Sequence, residues 1–353
     1  MKKLLFITVL FCLAAGCGRK NSLHLFPGGN PLIQYIGRID FSTAARPRFW
    51  NPGTYISIRF RGSSCDVLVN DEVSGGENHN YLEIILDNQK PERIKLTDRE
   101  NNIHIGDHLA AGDHSLVIVK NTEAGIGWLE FAGIRCEKLL PVKLPSRKME
   151  CIGNSITCGT GSDTSVFACG QGQWYDQHNA WLSYGPLTAR ALDAQYHLTA
   201  VSGIGLIHSC CHMDVLMPQV FDKIDTHGNK IKWDFNEYQP DVVTICLGQN
   251  DGAGDSVNFF NAYTGFIARI RKVYPRTQIV ALTSPMADEF LKNAMVRYLT
   301  TIVEYENRQH DPNIHLYVFS KRYHQGCGDH PLLSEHREIA AELTAYIQKL
   351  MGW

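Results

Sequence analysis

From residue 55 to 61 apolar and polar side chains alternate, with Ile56, Ile58 and Phe60 on one side and Ser57, Arg59 and Arg61 on the other. A period of two marks a strand with one face in a core and one in water. The rhythm returns at 65–70, 81–87, 114–120 and 128–134, separated by turn formers such as Ser74-Gly75-Gly76 and Ala111-Gly112-Asp113. Short strands in series, with no helical stretch among them, predict a β-sandwich or jelly roll over residues 33–145.

The rhythm changes after Pro141-Val142-Lys143-Leu144-Pro145. A strand is expected at 149–152, a helix at 181–194 with Tyr184, Leu187 and Ala191 on one stripe, and a strand at 195–201. The nearly continuous apolar run at 241–247 suits a strand covered on both faces of a parallel sheet. Helices at 259–273 and 290–305 flank a strand at 278–283, and Ile339, Leu343, Ile347 and Met351 stripe a last helix at 334–351. Alternating strands and helices predict an α/β/α sandwich over residues 146–353, with its site at the carboxyl ends of the strands.

A chain of 353 residues exceeds the usual single-domain size and agrees with two domains. Its formal net charge of −2 supplies no field to gather a polyanion, so nucleic acid is not an expected partner. The start changes the picture more. Met1-Lys2-Lys3, an apolar stretch over 4–15 and then Leu13-Ala14-Ala15-Gly16-Cys17 read as a secretory signal, too short to span a bilayer as a helix. The last five residues resemble a bacterial lipobox, which implies cleavage before Cys17, lipid attachment to it and a membrane anchor. Residues 18–32 then read as a linker. Gly18-Arg19-Lys20-Asn21 lacks an acidic run, which favours a periplasm-facing anchor over the cell surface. Nine cysteines remain in an exported body where disulfides persist, and Cys158 with Cys169 is the pairing expected first.

The chemistry starts from Gly153-Asn154-Ser155, directly after a strand. A serine there can simply cap a helix. Acyl transfer needs more: a base, donors for the oxyanion and a group that orients the base. Gly203 follows the strand ending at Val201 and offers a backbone N–H, Asn250 follows the buried 241–247 run and offers an amide, and His330 in Gly328-Asp329-His330-Pro331 precedes the last helix. These four blocks, in this order, resemble the SGNH (GDSL-type) hydrolases. The resemblance implies Ser155 as nucleophile, His330 as general base, and an oxyanion hole of the Ser155 and Gly203 N–H groups with the Asn250 side chain. A preceding jelly roll, Leu182-Ser183-Tyr184-Gly185 and residues 191–197 look like carbohydrate esterase family two. That family implies removal of acetyl groups from plant-polysaccharide sugars, with no metal or other cofactor.

Two positions depart from the resembling pattern. Asn154 stands where an Asp is usual, and the positions two and three before His330 are Gly328 and Cys327 rather than Asp. Asp329 is then one candidate third member of a triad; the other arrangement is a Ser-His dyad whose imidazole is held by a backbone carbonyl. Trp174, in a Gly-rich segment after the first block, is the candidate to stack on a sugar. His208-Ser209-Cys210-Cys211-His212 invites a zinc reading, but adjacent cysteines face one ion poorly, and a loop with packed thiols is expected instead. The competing functions are a glycan-binding lipoprotein without turnover and a lipase or esterase of other acyl esters.

Overall fold

The computed structural model describes residues 22–106 and 109–353. The signal segment and Cys17 lie outside these residues.

Two antiparallel sheets form the N-terminal part. One runs His24–Pro27, Leu129–Cys136, Cys65–Asp71, Glu100–Ile105 from edge to edge, and the other Lys138–Leu140, Tyr55–Gly62, Gly112–Lys120, Tyr81–Leu86, Glu92–Lys95. Their inner faces share a core that includes Ile56, Ile58, Phe60, Val67, Phe131 and Ile134. The exposed Arg59 and Arg61 take the other face of their strand, as the alternation requires. Part of the expected linker is strand: His24–Pro27 pairs with Leu129–Cys136 at the sheet edge. Leu23 and Leu25 remain exposed and only Phe26 packs, part-buried, on the core, so backbone pairing supplies much of what holds this segment and its hydrophobic pattern does not show it.

The C-terminal part is built on five parallel strands, β1 (Arg147–Gly153), β2 (Ala194–Ala200), β3 (Val242–Cys246), β4 (Gln278–Leu282) and β5 (Ile314–Tyr317), in the spatial order β2-β1-β3-β4-β5. This is a doubly wound order, which opens a crevice at the carboxyl ends where the winding reverses. The long helices Ser256–Val273, Glu289–Arg308 and Leu333–Met351 cover the sheet. The helix expected at 181–194 is shorter, Tyr184–Ala191. Residues 181–183 lead into it as a turn, with Ser183 at the N-cap position.

The two parts share one apolar cluster, in which Ile36, Tyr55, Ile85 and Val119 meet Trp181, Tyr184, Tyr196 and Leu198. The Tyr55 and Tyr196 rings lie 4.9 Å apart. Arg38 of the sandwich and Glu150 of β1 form a buried ion pair at 2.8 Å. Contact on both faces explains why Tyr81–Leu86 is buried at almost every position, Glu83 included, where a half-exposed strand would alternate.

Candidate active site

Registration of the parallel sheet places the first three blocks side by side. Gly153 of β1 lies opposite Ala200 of β2 and Cys246 of β3. Ser155, Gly203 and Asn250 follow those aligned positions by two, three and four residues. A Cβ on Gly153 would come within 2.0 Å of the Thr157 hydroxyl, so only glycine lets the chain turn this sharply out of β1. Ser155 is the first residue of the short helix Ser155–Cys158, and its cap is Asn154, whose side-chain oxygen accepts from the Ile156 N–H at 3.1 Å. That acceptor is what an Asp would supply, so Asn154 keeps the turn. First-turn N–H groups have no partner inside the helix, which leaves the Ser155 N–H available to an anion.

Gly203 has φ +81°, and a Cβ there would press on Cys210 Sγ and Met213 Sδ. The residue is therefore held to glycine by backbone conformation and by space. Asn250 donates one amide hydrogen to the Ile204 carbonyl at 2.9 Å. That bond fixes which end of the amide is nitrogen and leaves the second N–H to point elsewhere. Asp251 completes the arrangement, since its Oδ1 accepts from the N–H groups of Leu206, Ile207 and His208 at 2.7–3.1 Å. Burial holds its carboxyl above the ordinary value despite those donors.

His330 follows a short turn and precedes the Leu333–Met351 helix. Its Nδ1 lies 3.1 Å from the Cys327 carbonyl. A carbonyl only accepts, so Nδ1 carries the proton and Nε2 is left as the basic nitrogen. Asp329 does not serve as this partner: it is exposed, in a left-handed conformation with φ 58°, and the carbonyl of Cys327 takes the ring nitrogen. The turn is stitched to the loop after Ser155, where Cys327 N–H bonds the Gly161 carbonyl at 2.9 Å and Leu333 N–H bonds the Ser162 carbonyl at 3.0 Å. A disulfide joins Cys327 to Cys169 in the Gly-rich segment. The expected Cys158–Cys169 pairing is thereby corrected: Cys158 is a buried free thiol at the last position of the nucleophile's own helix. Cys210 and Cys211 are joined to each other, in place of two packed thiols.

Trp174 is 58% exposed on the Gly-rich segment, with its ring edge-on to His178 at 4.8 Å. The sandwich holds that segment from below. Arg93 donates to the carbonyls of Asp176 and His178 and pairs with Asp163 at 2.8 Å, and Asn179 bridges Glu83 and Asp163. Sequence reasoning missed these supports together with Glu123 and Asp251, and it offered a backbone carbonyl for His330 without identifying Cys327. Of these only Asp251, adjacent to Asn250, carried a signal in the sequence.

Two buried histidines near His330 titrate far from the usual range. Burial pushes His178 down to about 4, with Glu123 opposing it and the charge of His330 adding to it, and pushes His336 down to about 3. In the unfolded chain both take a proton near 6.5, so between those values the unfolded state holds the extra protons and stability falls as the pH falls. At pH 5 the loss is about 2 kcal/mol for each. Thermal unfolding followed from pH 7.5 to 5 is expected to show a falling Tm; a flat Tm across that window contradicts neutral, buried imidazoles.

The sheet order and the convergence of these groups at its carboxyl edge define an α/β serine hydrolase. The match to known families narrows the class. Residues 35–142 match the carbohydrate esterase 2 N-terminal family, and residues 151–340 match the GDSL-like lipase/acylhydrolase family. A cellulase/esterase CelE of Acetivibrio thermocellus is 32% identical over 92% of this chain, which spans 40% of that protein's length. An acetylxylan esterase/glucomannan deacetylase of Cellvibrio japonicus is 29% identical over 99% of this chain and 98% of its own. The solved structure of a family two carbohydrate esterase from Clostridium thermocellum in complex with cellohexaose superposes with a TM-score of 0.84 at 30% identity, over 91% of this chain and 99% of that one. The chain belongs to the GDSL-like hydrolases and, within them, to the family two carbohydrate esterases.

Proposed function

We propose that this esterase removes acetyl groups from plant-polysaccharide-derived saccharides through an acyl-enzyme on Ser155. The observation that carries the reading is the alignment of Ser155, Gly203 and Asn250 at neighbouring strand ends, together with an imidazole whose Nδ1 is committed to the Cys327 carbonyl. Ser155 Oγ attacks the acetyl carbonyl while His330 Nε2 takes the hydroxyl proton. The oxyanion is met by the N–H groups of Ser155 and Gly203 and the second amide hydrogen of Asn250. Collapse breaks the bond to the sugar oxygen, which leaves as an alcohol with the proton from Nε2. Water, deprotonated by His330, then releases acetate and restores Ser155.

Relatives support the substrate class: the Cellvibrio enzyme is named for acetylxylan and glucomannan, and the Clostridium structure holds cellohexaose. Trp174 offers an exposed ring for stacking on a sugar next to the site. Acetate release from acetylated xylan, glucomannan and pectin oligosaccharides, set against 4-nitrophenyl palmitate, tests the reading. Release from the saccharides with little turnover of the long acyl ester is expected; the reverse makes the chain a lipase, and tight saccharide binding without acetate release makes it a binding protein. Asn250→Ala is expected to lower kcat about 10²–10³-fold with little change in KM, because the amide serves the oxyanion rather than the ground state. A KM effect with kcat unchanged removes Asn250 from that role.

The lipobox-like run ending at Cys17 supports a lipid anchor, and Gly18-Arg19-Lys20-Asn21, without an acidic run, favours a periplasm-facing enzyme over the cell surface. Expression of Cys17→Ser in a Gram-negative host tests it by fractionation: release from the membrane is expected, and unchanged membrane retention counts against the anchor.

A further inference from the structure

Every group placed in the reaction so far comes from the C-terminal part, yet one side chain of the β-sandwich reaches the residues that flank the oxyanion donors. Glu123 follows the strand Gly112–Lys120 and precedes a short 3-10 turn, Ala124–Ile126. Its residue is 4% exposed. Oε1 accepts from the Thr160 hydroxyl at 2.8 Å and from the Ser202 hydroxyl at 2.5 Å, and Oε2 accepts from the Ser202 backbone N–H at 2.9 Å. The Thr160 and Ser202 hydroxyls are themselves 2.8 Å apart, which closes a triangle of oxygens.

The two residues so joined flank the oxyanion donors. Thr160 N–H bonds the Ser155 carbonyl at 3.0 Å, closing the turn that carries the nucleophile. Ser202 immediately precedes Gly203. A carboxylate is acceptor-only and presents two oxygens in a plane, so it can take both hydroxyls and the backbone N–H at once, which an amide or a hydroxyl in its place cannot do. The same carboxylate lies 3.4 Å from His178 Nδ1, though not in line for a hydrogen bond, beneath the ring that Trp174 touches. Its backbone is anchored in turn, because the fully buried Lys120 amine donates to the Glu123 carbonyl at 2.9 Å and to the Thr122 carbonyl at 2.7 Å.

We propose that Glu123 is a positioning residue supplied by the sandwich domain: it ties Thr160 to Ser202 and so sets the spacing between the Ser155 and Gly203 N–H donors. The inference rests on the assignment of Ser155 and Gly203 made above. It also gives the N-terminal domain a part in the chemistry beyond support of the cleft, because the loop after β1 and the loop after β2 are joined at this point through a residue of neither. Loss of the tie loosens donors that must sit about 2.7–3.1 Å from the forming oxyanion, and a misplacement of about 1 Å costs up to about 10²-fold in rate.

The test uses the full chain and two readouts, turnover of 4-nitrophenyl acetate and inhibition by methylboronic acid, which forms a tetrahedral adduct on a serine oxygen. Glu123→Gln is expected to lower kcat about 10- to 100-fold with KM within about threefold, and to weaken methylboronic acid by a similar factor while cellohexaose binding is unchanged. Ser202→Ala removes two oxygen contacts of the tie without touching the core and is expected to act in the same direction, with no additional effect in the Glu123→Gln background. A variant that loses stability but keeps wild-type kcat and boronate affinity makes Glu123 a structural residue only. If Glu123→Gln does not fold, wild-type kcat and boronate affinity in Ser202→Ala overturn the proposal by themselves. Ser155→Ala run in parallel separates the two levels: activity retained there defeats the nucleophile assignment, whereas activity lost there but kept in the Glu123 and Ser202 variants defeats only the positioning role.

Discussion

Ser155→Ala is expected to abolish acetate release, lowering kcat by about 10⁶-fold while KM and the unfolding transition stay near those of the parent chain. The magnitude follows from what the hydroxyl does. Without Oγ no acyl-enzyme forms, and what remains is attack by water in a site that keeps its oxyanion donors; serine proteases stripped of their nucleophile fall by about this factor. The fold should tolerate the change. Ser155 is 9% exposed at the head of a helix whose cap is Asn154, so the variant removes no capping hydrogen bond. Intact-mass analysis during turnover adds a second readout: a transient gain of one acetyl group in the parent, and none in the variant.

His330→Ala is expected to cost nearly as much, about 10⁵–10⁶ in kcat, because nucleophile and base act as a unit. The imidazole's place depends on the backbone. The Cys327 carbonyl takes Nδ1, and Cys327 is held by the Gly161 carbonyl, by its disulfide to Cys169 and by the turn that returns from Gly326 N–H to the His330 carbonyl. Imidazole added to the His330→Ala chain should recover part of the rate, since His330 is partly exposed and the emptied position is open to solvent. No recovery, with activity within tenfold of the parent before addition, would remove His330 from the mechanism.

How much of this is legible in the sequence depends on where each interaction is made. The alternation at 55–61 reports a strand with one face in water, and the structure has Tyr55–Gly62 there. The four blocks are legible because each sits at an element end, where the chain must turn and where Gly153 and Gly203 are dictated by space. Tyr81–Leu86 and His24–Pro27 read poorly for opposite reasons, one being buried on both faces and the other an edge strand with only Phe26 turned to the core. Contacts between distant segments leave no local trace. Cys169 and Cys327 are 158 residues apart, and Glu123 meets Thr160 and Ser202 only because the sandwich packs on the hydrolase. Asn121-Thr122-Glu123 carries no apolar pattern that would mark it as interior, yet in the folded chain all three are buried. Asp329 shows the converse: adjacency to His330 suggested a partner, but the left-handed backbone at Asp329 puts the carboxylate in solvent and leaves the ring to a carbonyl.

In the proposed dyad Ser155 is the nucleophile and His330 the base, its imidazole oriented by the Cys327 carbonyl. Asp329→Ala measured for kcat and kcat/KM on 4-nitrophenyl acetate tests it most directly, with circular dichroism to verify the fold. The dyad predicts values within about threefold of the parent chain, as for a surface side chain outside the reaction. A fall of about 10⁴ in kcat, the scale seen when a serine-protease triad loses the function of its Asp, would contradict it and make Asp329 the third member.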